Sequence, residues 1–574
     1  MDPALYSTEN PWIKEREATL CTWKFDYDRG YIGNMSVSLL NDFMCLSERQ
    51  LMDYASMIKA CGFTGIQVMD ICAAWRASGS PENVHDKFKI LANACHITGL
   101  NFTLWCWAAE FSGHGWTEPS AVYQNRVPGR PAFEDPAVLA IFEKYYDVYS
   151  EMAPYCDRVI AHFFDPGNLT DTESIISFLK LLAEKFRASN PSVKIAVDTW
   201  GCPEDYPGRL VEAGLKDVML MELPFLPAWQ EGKRARFREG VKKTGCGLGV
   251  WGWYTADMEI DQLAMMTVNN RVLKDVLNTV REQGDIVMTP EYWSETDSYH
   301  ILNFFSLYAA GHLLIDPGED PDKLLYDSAF AITGNANDAE TLKYVLEVIR
   351  DARSGDTWDT YWWTSPNYVL KTQKWENVLP RAKDAITKLE TLAELPEPAC
   401  GIPFPLKRRQ LYKLMLPHLQ QIRQYSEFIR DLANIKALKA GGAANDVLQD
   451  LIDGLDCEIP EYNCVTGLWG QPEAREAFIL CEEFCKENGL KAPERSPSVK
   501  FKFKKRIVDR LTVSQRGSKE RLSVDPLFYE GGLAGPEFTE KIMDELYREG
   551  VLGRDESGKY FLSGWQELRY DFSV

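Results

Sequence analysis

The chain has 574 residues, of which 45% are hydrophobic and 26% charged. These proportions are ordinary for a globular protein and exclude a disordered, collagen-like or low-complexity chain. The 84 acidic residues outnumber the 63 basic ones and give a net charge of -21, which argues against duplex nucleic acid or an anionic membrane as the main partner. At roughly 150 residues per domain, the length predicts about two to four domains.

The cellular compartment is indicated by the first residues and by the cysteines. The N-terminal segment lacks the basic region and the apolar core of a signal peptide. No run reaches the ~18 apolar residues that a membrane helix needs. The fourteen cysteines are scattered and form no CxxC pair. We therefore expect a cytoplasmic protein whose cysteines are reduced residues of the core.

Short apolar runs alternate with amphipathic segments from residue 18 to about residue 293. Ser47–Ala60 opens with a capping signal, and Thr172–Ser189 and Glu259–Glu282 carry apolar residues at helical spacing. Eight strands, each followed by a helix, predict a (β/α)₈ TIM barrel, an α/β fold. An open doubly wound sheet would carry a glycine-rich phosphate turn after its first strand, which this chain lacks. The predicted strands are Ala18–Phe25, Gly65–Met69, Asn101–Trp107, Arg158–Phe164, Lys194–Val197, Val218–Glu222, Gly247–Trp251 and Asp285–Thr289.

The sequence after the barrel is mainly helical. We expect a catalytic barrel over residues 1–334, a helical domain over 335–460 and a small α+β C-terminal module over 461–574. In that module, a predicted helix at Phe538–Glu549 precedes a hairpin-like run. The basic stretch Val499–Ser523 suits a nucleic-acid-binding winged helix or, in better agreement with the net charge, a solvated strand of a small appendage.

Reactive groups of such a barrel lie where the strands end and in the loops that follow. The predicted strand ends are rich in tryptophan, tyrosine and carboxylates. This combination suits a sugar, because its C–H faces stack on aromatic rings and its hydroxyls need directional acceptors. Lys24 and Arg76 would fit an acidic sugar or pair with neighbouring carboxylates. The predicted substrate-binding residues are Trp23, Lys24, Asp26, Asp70, Arg76, Trp107, Glu110, His162, Trp200, Trp251, Trp253, Tyr254 and Trp293.

Four carboxylates are the predicted catalytic residues. Glycosidic cleavage needs two carboxyl groups, about 5 Å apart for retention and roughly 6.5–9.5 Å apart for inversion of the anomeric configuration. Asp165 and Glu222 are the leading pair, because they follow predicted strands 4 and 6. Asp198 and Glu291 are the further candidates, with Glu110 also considered. Each could instead bind a substrate hydroxyl or a basic side chain.

The run YWSETDSYHILNFFSLYAAGHLLIDPGEDPDKLLYDSAFAITG, residues 292–334, resembles the closing segment of barrel glycoside hydrolases in the α-glucuronidase and β-hexosaminidase-like groups. In that segment the last barrel helix ends in an apolar-Asp-Pro turn and a second helix leads into a helical C-terminal domain. The catalytic motifs differ, because the α-glucuronidases carry glutamate where this chain has Asp165, and Pro166 replaces the second acid of the hexosaminidase-like enzymes. In α-galactosidase-like barrels a strand 4 nucleophile and a strand 6 acid match Asp165 and Glu222 in position.

The sequence therefore predicts a glycosidase that acts on a short oligosaccharide or glycoside from the chain end, with no cofactor and no metal. A small saccharide is the expected partner, and neither nucleic acid nor a membrane is expected. The apolar helical region would also suit a homo-oligomer. The alternatives are a metal-dependent sugar isomerase or epimerase, which would need histidine and carboxylate ligands at the strand ends, and a barrel that only binds carbohydrate.

Overall fold

The computed structural model describes most of the barrel and of the helical region. The described residues are 6–20, 46–70, 85–107, 136–163, 172–199, 202, 204–222, 231–252, 268, 270–286, 289–297, 302–353, 375–398, 401–457, 472–493, 504, 536–556 and 560–563.

Eight parallel strands form a closed barrel in the order β1 to β8, each hydrogen-bonded to its sequence neighbours. The predicted TIM barrel is therefore confirmed. The first strand pairs with the last over six residues, from Glu15 with Tyr292 to Leu20 with Asp297. The strands are β1 Glu15–Leu20, β2 Gly65–Asp70, β3 Asn101–Trp107, β4 Arg158–His162, β5 Lys194–Asp198, β6 Met219–Glu222, β7 Leu248–Gly252 and β8 Tyr292–Asp297.

Amphipathic helices surround the barrel. The first begins where the sequence predicts, because Ser47 and Gln50 form a capping box that satisfies backbone N–H groups of the opening turn. The helix that apolar spacing predicts at Thr172–Ser189 has these bounds in the structure. The barrel helices are α1 Glu48–Ala60, α2 His85–Thr98, α3 Pro136–Ser150, α4 Thr172–Ser189, α5 Tyr206–Glu212, α6 Glu231–Thr244, α7 Asn270–Ile286 and α8 Phe304–Ile315.

Two strand predictions were wrong. The predicted eighth strand, Asp285–Thr289, overlaps the end of α7, and β8 begins only at Tyr292. The predicted first strand begins three residues late, because β1 starts at Glu15 and ends at Leu20. In both cases the true strand carries charged or polar residues that point into the barrel, so that it lacks the continuous apolar run used to find it.

Strand registers assign alternate residues to the barrel lumen. Thr19 pairs with Gln67 of β2, and Trp251 of β7 pairs with Ser294 of β8. A contact between opposite strands agrees with these lumen positions, since the ring centroids of Trp105 and Trp251 are 4.1 Å apart. Parallel barrels fill the lumen in layers contributed by alternate strands, and one such layer here consists of Thr19, Trp105, Asp198 and Trp251.

The amino-terminal half of the lumen holds an ionic network in place of the usual aliphatic layer. Arg158 donates from Nη1 to Oε1 of Glu17 at 3.5 Å and from Nη2 to Glu15 at 2.5 Å. The hydroxyl of Thr103 donates to Oε1 of Glu17 at 2.9 Å, and that of Tyr292 donates to Oε2 at 2.7 Å. Burial raises the pKa of Glu17, and the positive charge of Arg158 offsets part of this rise.

The chain continues from the barrel into further helices. The Asp316-Pro317 turn follows α8, and the next helix starts after the N-cap Asp320, as the resemblance of residues 292–334 implies. One hydrophobic core extends from the barrel helices to Ile422. A second core consists of Trp375 and of residues between Phe428 and Cys485. These helices are α9 Pro321–Thr333, α10 Ala336–Arg353, α11 Trp375–Ala393, α12 Arg408–Ala440, α13 Asn445–Asp453, α14 Pro472–Glu487 and α15 Pro536–Arg548.

A small antiparallel hairpin follows α15, formed by β9 Leu552–Arg554 and β10 Tyr560–Leu562. The predicted helix and hairpin are thus confirmed, whereas the basic stretch Val499–Ser523 lies outside the described residues except for Lys504. The nine cysteines in the described part are buried and form no disulfide, in agreement with a core role. Over the same part of the chain, no helix is long and apolar enough to cross a membrane.

The contact between α8 and the turn after α1 depends on a glycine. A Cβ on Gly311 would overlap the carbonyl oxygen of Cys61, a backbone atom that cannot turn aside. We expect Gly311→Ala to lower the free energy of unfolding by about 3 kcal/mol, the cost of overpacking a core. Gly208→Ala in α5 is the matched control, since its Cβ would meet nothing within 4 Å. Urea denaturation of both variants tests this, and equal stabilities would contradict it.

Candidate active site

The carboxyl end of the barrel places a histidine and an aspartate side by side in the lumen. His162 is the last residue of β4, and Asp198 is the last residue of β5. Nδ1 of His162 lies 3.1 Å from Oδ2 of Asp198, and both side chains are buried. The other carboxylate oxygen of Asp198 accepts the backbone N–H of Phe163 at 2.9 Å. Sequence reasoning named both residues, and the structure brings them together.

Two indole rings meet across the lumen beside this pair. The Trp105 and Trp251 rings meet edge to face, with an interplanar angle of 85°. The imidazole of His162 contacts both rings. Its centroid lies 4.9 Å from that of the Trp105 ring and 5.2 Å from that of the Trp251 ring. Trp105 and Trp251 belong to the same layer as Asp198. The described floor of the site is thus aromatic, with one carboxylate and one imidazole.

Glu222 is the last residue of β6, but its side chain points away from the lumen. The register pairs Met221 with Asp198, so that Met221 points into the lumen and Glu222 points outward. Its Oε2 accepts a hydrogen bond at 2.8 Å from Nε of Arg238 on α6, and both side chains are fully buried. The expectation that Glu222 pairs with Asp165 in the lumen is therefore contradicted. Successive side chains of a strand point to opposite faces, so that Glu222 points away from the lumen when Met221 points into it.

Glu291 and Trp293 also differ from their predicted places. Glu291 is exposed and precedes β8, so that it lies at the amino-terminal end of the barrel, opposite the strand ends where active sites form. Trp293 points away from the lumen, packs against Trp12 and donates from Nε1 to Glu295 at 2.8 Å. Both errors follow from the misplaced eighth strand.

The remaining predicted site residues are only partly placed. Asp70 and Trp107 end β2 and β3, as the sequence predicts. The others lie in segments after the strands that fall outside the described residues: Trp23, Lys24, Asp26, Arg76, Glu110, Asp165, Trp200, Trp253 and Tyr254.

Sequence reasoning missed two lumen residues near this floor. Thr19 lies in the layer of Asp198, and its buried hydroxyl has no hydrogen-bond partner within the described part of the chain. Trp105 contacts Trp251 across the lumen, yet of the two tryptophans near the end of β3 the predicted binding residues include only Trp107. The alternation of β1, in which Glu15, Glu17 and Thr19 are two residues apart, was the available signal.

The described residues offer no group of three or more His, Cys, Asp or Glu side chains arranged to hold a metal ion. In this part of the chain the site chemistry therefore consists of acceptors, one imidazole and aromatic surfaces. The carboxylates that the sequence places just after the strands would complete it.

Comparisons with known proteins find similarity in structure only. No protein family's sequence profile and no curated protein sequence matches the chain. A GH138 enzyme that targets the pectin rhamnogalacturonan II has a TM-score of 0.46 and 9% identity, over 90% of this chain and 69% of that one. A family GH115 4-O-methyl-α-glucuronidase has a TM-score of 0.38 and 12% identity, over 86% of this chain and 63% of its own.

A GH5 enzyme from Streptomyces cattleya, solved with GlcNAc, has a TM-score of 0.35 and 12% identity, over 58% of this chain and 91% of that one. The solved structures to which this chain is similar thus include glycoside hydrolases of several families.

Proposed function

We propose that the protein is a glycoside hydrolase that removes a sugar from the end of a short oligosaccharide or glycoside. The observation that carries this proposal is the carboxyl end of the barrel, where the buried Trp105 and Trp251 rings pack against His162 beside Asp198. Aromatic surface beside directional polar groups is the chemistry that a pyranose ring requires. The pair stands at the carboxyl ends of the strands, the face on which TIM-barrel enzymes act.

Neither of the two buried carboxylates at the ends of β5 and β6 suits the role of catalytic acid. Glu222 is paired with Arg238 outside the lumen, and Asp198 is engaged by Phe163 and His162. We therefore assign this role to Asp165, which follows His162 by three residues in the sequence. A second loop must supply its partner, and Glu110 after β3 is the candidate, because cleavage needs two carboxyl groups on opposite sides of the bond.

Action at the end of a saccharide chain depends on the shape of the binding site. The Trp105 and Trp251 rings pack against each other across the lumen, and a sugar would bind at the mouth of the barrel, as in other TIM-barrel enzymes. A site closed on one side accepts a terminal sugar, whereas an open cleft accepts the middle of a polymer. We propose a site of the first kind, and hence an exo-acting enzyme.

A panel of aryl glycosides tests the proposal. It contains α- and β-glucosides, galactosides, glucuronides, N-acetylhexosaminides and a sialoside, each assayed with and without EDTA. We expect one member to release its aglycone at a rate that EDTA does not change. No release from any member, together with an EDTA-sensitive interconversion of free sugars, would overturn the proposal in favour of a metal-dependent isomerase.

A further inference from the structure

A carboxylate on the outer face of the barrel occupies the space of a missing side chain at the end of β7. Gly252 is the last residue of β7, and its partner in the sheet is Glu295 of β8. A Cβ on Gly252 would lie 2.2 Å from Oε2 of Glu295 and 2.6 Å from Nε1 of Trp293. The carboxylate therefore packs directly against the backbone of Gly252, where only glycine leaves it room.

We propose that Glu295 is a positioning residue, which holds the end of β7 in the place that the candidate site needs. This inference rests on the proposed hydrolase function for the identity of the ligand, and it assigns Glu295 no contact with that ligand. It gives β8 a carboxylate with a role in the site, four residues after the Glu291 that the sequence predicted.

Gly252 lies between two parts of the candidate site. The preceding residue, Trp251, points into the lumen, where its ring centroid lies 5.2 Å from that of His162. The two residues that follow in the sequence, Trp253 and Tyr254, are predicted to bind substrate. Because neighbouring residues share a backbone, a displacement of Gly252 also displaces the residues on either side of it.

The Glu295 side chain is held in place against Gly252. Its Oε2 accepts a hydrogen bond from Nε1 of Trp293 at 2.8 Å, and both side chains are buried. The Trp293 ring in turn packs against Trp12, with ring centroids 6.3 Å apart. Moving the carboxylate away from Gly252 would break this hydrogen bond, which is costly in a place that water does not reach.

Packing alone does not require a carboxylate at this place. Burial of a charged side chain is unfavourable, and an apolar side chain of similar volume often serves a fold equally well. What a carboxylate adds is direction, because a hydrogen bond to it fixes the oxygen at one point. The oxygen that Trp293 fixes is the one that faces Gly252, so that this direction serves to hold the end of β7.

Fluorine NMR of the protein labelled with fluorotryptophan tests the positioning without any substrate. The Trp251 signal is identified by its loss in Trp251→Phe. We expect Glu295→Ala to shift this signal, because Gly252 can then relax into the vacated space. Glu295→Gln should leave the signal in place, because the amide has nearly the same shape as the carboxylate. Adding Gly252→Ala to Glu295→Ala should return the signal toward its original position, since the new Cβ fills the vacated space.

Three results would overturn the proposal: no shift in Glu295→Ala, an equal shift in Glu295→Gln, or a shift that Gly252→Ala does not reverse. Glu291→Ala is the matched control, since this exposed glutamate precedes β8 at the opposite end of the barrel. If Glu295→Ala does not fold, Gly252→Ala alone decides, because its Cβ must displace the carboxylate, and an unshifted Trp251 signal would overturn the proposal. Gly247→Ala, whose Cβ would make only ordinary contacts, is the control for that variant.

Kinetics on the glycoside that the panel identifies separate positioning from a general loss of structure. We expect Glu295→Ala to raise KM by about tenfold and to change kcat by less than about threefold, because the residues that follow Gly252 are predicted to bind the sugar rather than to cleave it. Glu295→Gln should keep both constants within about twofold. An unchanged KM, or a kcat that falls as far as KM rises, would overturn the proposal. A silent panel contradicts the hydrolase function and leaves the fluorine signal to decide the positioning.

Discussion

Asp165→Asn should lower kcat for the cleaved aryl glycoside by a factor on the order of 10³ or more, with little change in KM. The amide can neither donate a proton to the leaving oxygen nor attack the anomeric carbon, and it has nearly the same shape as the carboxyl group. General acid catalysis alone contributes about 10²–10⁴ in rate, and loss of a nucleophile costs at least as much. The measurement is steady-state kinetics on the panel member that is hydrolysed.

The leaving group distinguishes the two roles of Asp165. A dinitrophenyl aglycone leaves without protonation, so that loss of a general acid should matter far less for it than for a simple phenyl glycoside. Loss of a nucleophile should be equally severe for both aglycones, and azide should then restore turnover by forming a glycosyl azide. Either pattern identifies Asp165 as a catalytic carboxylate.

Glu291→Gln is the matched control for Asp165→Asn. It removes the same charge from an exposed residue at the opposite end of the barrel, and kcat should stay within about twofold because the charge is distant and screened. An Asp165→Asn variant that folds and keeps more than a tenth of the kcat would contradict the assignment. The catalytic acid would then lie on another loop, with Glu110 the next residue to replace.

The fold could be predicted because a TIM barrel repeats one unit eight times. Each unit provides a buried strand and an amphipathic helix, and six of the eight predicted strands overlap the observed ones almost completely. The two failures, at β1 and β8, occur where the lumen is ionic. Glu17 and Tyr292 point into the barrel there and are hydrogen-bonded to each other. A buried charged residue is stable only when it has a partner. The partners of Glu17 lie far away in the sequence, so that the sequence of β1 alone gives no reason to expect a buried glutamate there.

The candidate site was harder to predict because distance along the sequence does not determine which way a side chain points. In β6, MLME, every residue is compatible with burial, so that the four letters do not show which alternate set faces the lumen. Pairing with β5 decides this and turns Glu222 toward α6 and Arg238. His162 and Asp198 could be predicted because each is the last residue of its strand, and both side chains point into the lumen. Their contact depends on the register between two strands and could not be derived from either alone.

The ionic network in the lumen creates the largest expected effect on stability. We expect Arg158→Met to lower the free energy of unfolding by about 3–5 kcal/mol at neutral pH, the cost of leaving a buried charge without its partner. Glu17 would lose Arg158, which offsets part of the rise in its pKa caused by burial. Glu17→Gln should cost a similar amount, because Arg158 would retain only Glu15 as an ionic partner within this network. Urea denaturation at pH 8 and pH 5 measures both.

The pH dependence and the double variant show whether the two charges act together. A carboxyl whose folded pKa lies above its unfolded value binds more protons in the folded state, so that stability falls as pH rises above about 4.3. Arg158→Met should therefore lose more stability at pH 8 than at pH 5.

Combining Arg158→Met with Glu17→Gln should cost less than the sum of the two single changes, because neither charge is then left alone. Arg236→Met, which breaks an exposed pair with Glu204, should lower the stability far less, because water screens an exposed ion pair. Additive losses, or an Arg158→Met loss no larger than this control, would show that the network does not stabilise the barrel as a unit.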